Sequence, residues 1–301
     1  MTKLIDAPPR RWTLALPQGR ALELGHRPLV MGVVNITPDS FSDGGLWLEA
    51  DRAADHAMEL LAQGADLVDL GAESTRPGGG VYGGGAREVP AEEEIARLLP
   101  VLRRLRVRTA APISVDTRKA AVARAALAAG ADLVNDVSAL ADPEMGATLA
   151  AAHCPVVLMH SRGALATMQR DIQFADVLRE VRNELADAMR RATAAGIAAE
   201  RLILDPGIGF GKTTEQNLLL LRRLDVLGAL DRPLLVGASR KSFIGNLTGA
   251  EPQRRLAGSL AAAARAVEGG AALLRVHDVA ETVQFLEIWR AIGGSASEAG
   301  E

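Results

Sequence analysis

Residues 63–73 read QGADLVDLGAE, and residues 129–136 repeat the phrase as AGADLVND. In both, a Gly closes an Ala- and Leu-rich stretch of helical pattern, and an apolar run follows at once. Gly takes the left-handed conformation past a helix's last turn without a Cβ clash, so the phrase spells helix end, tight loop, strand. A looser third copy is GGAALL at 269–274. Working outward, eight short apolar runs each stop at a polar residue: MGVVN at Asn35, DLVDLGAE at Glu73, PISVD at Asp116, DLVND at Asp136, PVVLMH at His160, LILD at Asp205, PLLVGAS at Ser239 and LLRVH at His277. Helix-like, Ala-rich segments separate them. Eight strand–helix units in about 250 residues predict an α/β fold, a single (β/α)8 TIM barrel of parallel strands. The carboxyl ends of its strands share one rim, where function is expected.

Upstream, WTLALPQGRALEL (12–24) alternates apolar and polar residues around Pro17-Gln18-Gly19, the pattern of a β-hairpin able to cover the barrel's lower end. The expected layout is one domain over residues 1–301: hairpin at about 12–24, barrel at about 28–291, and a small, polar, disordered tail at about 293–301. The first two strand-to-helix loops, Thr37 to Gly45 and Arg76 to Val89, are long and rich in Gly, Pro, Ser and Asp. Loops of that length above a barrel are binding loops or lids more often than connectors.

With 48% hydrophobic and 24% charged residues, the chain can bury a large core. A net charge of −3 leaves no electrostatic footprint for nucleic acid or an anionic membrane, so small molecules are the expected partners. The opening MTKLIDAPPRRW lacks the apolar core of a signal peptide, and no uncharged apolar stretch is long enough to span a bilayer, which points to a cytoplasmic protein. Cys154 is the only cysteine and precedes an apolar run, which suits a core thiol.

In a closed barrel the eighth, first and second strands are neighbours. Asn35, Arg76, Arg275 and His277 then converge, and guanidinium forks match phosphate oxygens, so this quarter suits a diphosphate. Across the rim stand Asp116, Asn135 and Asp205. Inward carboxylates need donors, and the 2-amino-4-oxo-pyrimidine edge of a guanine or pterin supplies them; helix capping is the other reading for Asp116. The segment DPGIGFGKT (205–213) is not a phosphate-binding P-loop, because Pro206 stands where the first Gly is required. It reads as a flexible Gly-rich turn that approaches a flat ligand, with Phe210 free to stack. GASRKSF (237–243) leads into a helix whose N-terminus, with Ser242 as a possible cap, suits a carboxylate.

Taken together, MGVVNITPDSFSDGG (31–45), GAESTRPG (71–78), SVDT (114–117), NDV (135–137), LMH (158–160), DPGIGFGK (205–212), GASRKS (237–242) and RVHDV (275–279) resemble the dihydropteroate synthase family. The resemblance implies condensation of 6-hydroxymethyl-7,8-dihydropterin pyrophosphate with 4-aminobenzoate in folate biosynthesis, by an SN1-like displacement. It also implies pterin ligands at Asp116, Asn135, Met159, Asp205, Phe210, Gly237 and Lys241, and a pyrophosphate site at Asn35, Arg76, Arg275 and His277, with Asn35 touching Mg2+. The aminobenzoate pocket falls on Phe41, Thr75, Pro77 and Ser242, with Phe210 and Lys241 at its edge, and the catalytic set is Asp43, Lys241, Arg275 and His277. The family also implies a homodimer.

Two departures stand out: Ser161-Arg162-Gly163 where Met-x-Gly is usual, and a second loop unusually rich in Gly. A methyltetrahydrofolate-binding methyltransferase would share Asp116, Asn135 and Asp205 but has no use for Arg76, Arg275 and His277. A silent pterin-binding paralogue acting through a partner predicts decayed loop motifs, whereas TPDSFSDGG and STRPG are whole.

Overall fold

The computed structural model describes residues 10–36, 45–73, 89–163 and 172–293. Strands β1 (Trp12–Ala15) and β2 (Ala21–Leu24) form an antiparallel hairpin around a 3-10 turn at Pro17–Gly19, as expected. Eight parallel strands then close a barrel in chain order: β3 (Leu29–Asn35), β4 (Leu67–Gly71), β5 (Ile113–Asp116), β6 (Leu133–Asp136), β7 (Val156–Met159), β8 (Leu202–Asp205), β9 (Leu234–Val236) and β10 (Ala271–Val276), the last pairing back onto β3. The helices are α1 (Gly45–Ala62), α2 (Ala91–Arg106), α3 (Ala120–Ala128), α4 (Met145–Ala152), α5 (Val177–Ala194), α6 (Thr214–Arg222), α7 (Ser242–Thr248), α8 (Leu256–Glu268) and α9 (Val279–Ile292). Two of them, α7 and α8, occupy the crossover from β9 to β10 where one was expected.

Local chemistry explains the boundaries. Gly64, Gly130 and Gly270 sit at φ of 100°, 103° and 91°, so the glycines of the repeated phrase do end their helices in the left-handed region. The first turn of α2 carries Glu92, Glu93 and Glu94 and its last turn Arg103, Arg104 and Arg106, each sign matched to the helix dipole. Thr213 and Gln216 form a reciprocal capping box on α6.

Each barrel strand has two faces, because side chains alternate along it. Val68, Val115, Val134 and Leu158 pack outward with the helices. Met31, Leu67, Leu133, Val157, Ile203, Leu235 and Leu273 form an inner layer near the strand starts, continuous with Leu14, Leu16, Leu22 and Leu24 of the hairpin. The hairpin therefore plugs the amino-terminal end of the barrel. Each leucine so buried contributes about 1.5–3 kcal/mol, and the opposite end is left open for chemistry.

Candidate active site

Along the inner face toward the carboxyl ends, the same alternation delivers polar groups. Two residues beyond Leu67 comes Asp69, beyond Leu133 Asn135, beyond Val157 Met159, beyond Ile203 Asp205, beyond Leu235 Gly237, and beyond Leu273 Arg275 and then His277. Asp116 pairs in register with Asn135, and Gly71 with both Asn35 and Asp116. Asp116, Asn135, Met159 and Asp205 are buried, whereas Asn35 is exposed at the rim.

Arg275 is the hub. Its Nε donates to Asp69 Oδ2 at 2.6 Å and its Nη2 to Asp116 Oδ2 at 3.0 Å, while Asn135 Nδ2 donates to Asp69 Oδ2 at 3.1 Å. Strand β10 adjoins neither β4 nor β5 in the sheet, so these bonds cross the barrel interior. The cationic and acidic quarters expected on opposite sides of the rim thus meet in its middle. The reason is physical: buried carboxylates without donors are costly, and Arg275 supplies a donor to each of the two.

Three acceptors remain. Asp69 Oδ1, Asp116 Oδ1 and Asn135 Oδ1 are buried and meet no donor among the described residues. Buried polar atoms nearly always find a partner, and an orphan costs about 1–3 kcal/mol. Three orphaned acceptors in one mouth suit a ligand that brings N–H groups. Beside them, Val137, Met159 and Phe210 form a separate apolar cluster, and Lys241 Nζ lies 4.1 Å from the centre of the Phe210 ring. A flat heterocycle fits such an apolar wall with a cation at its edge. Gly237 lies next to Arg275, where an added Cβ would make an ordinary 3.7 Å contact with the Arg275 Cβ.

The charge states follow from burial. Burial pushes Asp116 up to about 7 against the pull of Arg275, with Asp69 adding to the rise. Burial likewise lifts Asp205 to about 6, opposed by the Gly207 N–H and by Lys241. Burial and then Arg275 drive His277 down to about 3, so its imidazole is neutral, with Nδ1 3.1 Å from Ser239 Oγ. Burial raises the Cys154 thiol to about 11, as suits a core residue and not a nucleophile.

Several expectations need correcting. The turn after Asp205 is pinned, not flexible. The Gly207 N–H donates to Asp205 Oδ1 at 2.7 Å, the Gly209 N–H to Asn217 Oδ1 at 2.7 Å, and Lys212 Nζ to the Gly207 and Phe210 carbonyls at 3.0 and 2.9 Å. Gly207 has a φ of 66°, and a Cβ there would strike the His160 carbonyl oxygen. Ser242 is the first residue of α7 and caps nothing, because Lys241 already makes the extended entry, at φ −66° and ψ 156°.

Of the eight polar stops, four brace loops. Asp136 accepts the Ser138 and Leu140 N–H groups, and Glu73 accepts the Val89 N–H and pairs with Arg118 and Lys119. His160 lies between Glu184 and Lys212, and Ser239 serves His277. Two residues went unmarked in the sequence reading. Asp69 sits inside a strand and was not read as a stop, although its spacing from Leu67 and Gly71 puts it on the inner face. Buried Arg255 donates to the Ala250 and Arg240 carbonyls at 2.8 and 3.0 Å, and so shapes the loop that carries Lys241. Phe41, Asp43, Thr75, Arg76 and Pro77, with most of both long loops and the tail from 294, lie outside the described residues.

A barrel whose mouth joins donor-seeking carboxylates to a guanidinium and an imidazole defines a binder of flat, N–H-rich heterocycles. Residues 31–277 match the pterin binding enzyme family, and the chain belongs to it. It is 45% identical to a dihydropteroate synthase of Synechocystis sp., over 91% of this chain and 95% of that one. A Xanthomonas albilineans dihydropteroate synthase solved with 4-aminobenzoic acid superimposes with a TM-score of 0.86 at 48% identity, covering 95% of this chain and 99% of that one. Another structure from that organism, in complex with 7,8-dihydropteroate, has a TM-score of 0.79 and 46% identity over 89% of this chain and 95% of that one.

Proposed function

We propose that this barrel is a transferase of folate biosynthesis that condenses 6-hydroxymethyl-7,8-dihydropterin pyrophosphate with 4-aminobenzoate, forming a C–N bond and releasing pyrophosphate. The observation that carries the reading is the set of orphaned acceptors on Asp69, Asp116 and Asn135 beside Arg275. The pterin's 2-amino group and ring N–H groups fill those acceptors and Asp205, with Met159 and Phe210 against its faces and Gly237 and Lys241 at its edge. Once the pterin satisfies the carboxylates, Arg275 is released to face the diphosphate alongside neutral His277. Arg76 and Asn35 complete that anion site. Phe41, Thr75, Pro77 and Ser242 receive the aminobenzoate, and Asp43 stabilises cationic charge on the pterin.

An arylamine is neutral and nucleophilic at pH 7, so no strong base is needed to activate it. The difficult step is departure of the diphosphate. Arg275 and His277 stabilise the leaving charge, and carboxylates beside the electron-rich ring tolerate the carbocation, which makes the displacement SN1-like. Magnesium is part of this reading. Among the described residues no group of three or more His, Cys, Asp or Glu could hold a metal, and exposed Asn35 offers one amide oxygen. That donor set suits an ion that takes most of its oxygens from diphosphate and water. Asn35 would hold it, and when bound it neutralises leaving-group charge.

No helix of the described residues is long and apolar enough to cross a membrane. The family resemblance extends the reading to a homodimer, which sedimentation would reveal. The deciding assay follows pyrophosphate and dihydropteroate together with both substrates supplied. Equimolar appearance of the two supports the reading, and pyrophosphate release with no dihydropteroate would sink it.

A further inference from the structure

Lys212 closes the glycine-rich segment, yet it is 3% exposed. An ammonium has three donors, and its three closest acceptors here are the Gly207 carbonyl at 3.0 Å, the Phe210 carbonyl at 2.9 Å and His160 Nδ1 at 2.9 Å, with the His160 carbonyl farther off at 3.5 Å. Because Nδ1 accepts from Lys212, the imidazole proton lies on Nε2, which donates to Glu184 Oε2 at 3.0 Å. Glu184 also receives Arg162 Nε at 3.1 Å, and the same guanidinium reaches Glu180 at 2.7 Å and stacks 3.9 Å over the Phe174 ring. A continuous polar line thus runs from α5 at the barrel's outside to the turn that walls the mouth. Arg162 follows Ser161, which stands where the usual Met-x-Gly pattern has Met.

The two carbonyls that Lys212 holds belong to residues with a second task. Gly207 donates its N–H, from the preceding peptide, to Asp205 Oδ1 at 2.7 Å, and Phe210 carries the ring that faces Lys241. We infer that Lys212 is a positioning residue for the pterin pocket, fixing the Asp205 carboxylate and the Phe210 ring through the backbone of Gly207 and Phe210 while touching no ligand itself. The inference rests on the pterin reading of that mouth.

The arrangement needs the charged form, since a neutral amine has two N–H groups for the three close acceptors. Burial pushes Lys212 down to about 7, opposed by Asp205 on β8 and Glu184 on α5 and assisted by Arg162 after β7 and Lys241 before α7. His160, at the end of β7, is driven to about 4 by burial and by Lys212, and stays neutral across the working range. Loss of the Lys212 proton above pH 7 frees one acceptor and loosens the turn.

Calorimetric titration of the full chain with 6-hydroxymethylpterin and, separately, with inorganic pyrophosphate and Mg2+ tests this. Lys212→Met is expected to lose tenfold or more in pterin affinity and to keep pyrophosphate affinity within twofold. Unchanged pterin affinity, or equal loss for both ligands, would overturn the inference. Wild-type protein that fails to bind the pterin would instead overturn the pocket assignment on which it rests. Glu184→Gln provides an arm independent of whether Lys212→Met folds. It removes a charge that favours the ammonium, so the alkaline limb of kcat/KM for the dihydropterin substrate moves to lower pH by about half a unit or more. An unmoved limb would overturn the inference.

Discussion

Arg275 and Asp116 meet at 3.0 Å across the inside of the barrel, between strands that are not neighbours in the sheet. The contact ties a group assigned to the leaving diphosphate to one assigned to the pterin, so the two halves of the site share one cation. On the proposed reading, a pterin in the acidic half competes with Arg275 for the Asp116 carboxylate, and that competition couples the two halves of the site.

Asp116→Asn tests the pterin side. It replaces a charged acceptor facing ligand N–H groups, and hydrogen bonds to charged groups contribute about 1.5–3 kcal/mol. Pterin affinity is expected to fall by about one to two orders of magnitude. Pyrophosphate affinity should hold or rise, because Arg275 loses a competitor, and calorimetry with each ligand reads the difference.

Arg275→Met tests the leaving-group side. Loss of one such electrostatic donor costs about 10²–10³ in rate, and kcat for pyrophosphate release should fall accordingly. The substitution also strands Asp69, which is fully buried, and breaking a buried pair costs about 3–5 kcal/mol. A urea midpoint that drops with the rate agrees with this; a normal midpoint and a normal rate together would place Arg275 outside the site.

The pH dependence of stability has a sign that can be isolated. Asp116 titrates near 7 when folded, above the ordinary carboxylate range, so folding favours its protonated form and its contribution to stability is lost as pH rises toward 7. His160 and His277, lowered to about 4 and about 3, act in the opposite sense below about pH 6.5 and mask the effect in the wild type. Asp116→Asn should therefore gain stability relative to wild type between pH 5 and pH 8. Parallel denaturation curves across that range would show that Asp116 is not protonated in the folded protein.

Much of the barrel was legible because its signals are local and periodic: a helix-ending glycine, an apolar run, a polar stop. The same alternation put Asp116, Asn135, Asp205 and Arg275 on the inner face. Asp69 obeyed that alternation but sat within a strand, where a search for polar stops overlooks it. His160 and Asp136 are stops with no place among the inward-facing ligands, because what a polar side chain faces depends on the neighbouring strand and helix, not on its own run. Lys212 and Arg255 were illegible for a different reason. Their partners are backbone carbonyls and, for Lys212, one ring nitrogen, and no residue-type pattern records those.

Arg255→Met extends that point to the loop before α7. The guanidinium spans the Ala250 and Arg240 carbonyls, and removing it leaves two part-buried acceptors without this donor, at a cost of about 1–3 kcal/mol each at most. Stability is expected to fall by about 2–4 kcal/mol. KM for the dihydropterin substrate should rise as Lys241 loses its support, with urea denaturation and initial rates giving the two numbers.

The most direct test is the proton balance of pterin binding, obtained by titrating 6-hydroxymethylpterin at pH 6.5 in buffers of different ionisation enthalpy. Asp116 and Asp205, near 7 and near 6 in the free site, are partly protonated there and must become acceptors when the N–H edge arrives. Binding should release protons in the wild type, and the release should vanish in the Asp116→Asn, Asp205→Asn double variant. Proton uptake, or a balance that the double variant leaves unchanged, would mean that these carboxylates do not hold the heterocycle.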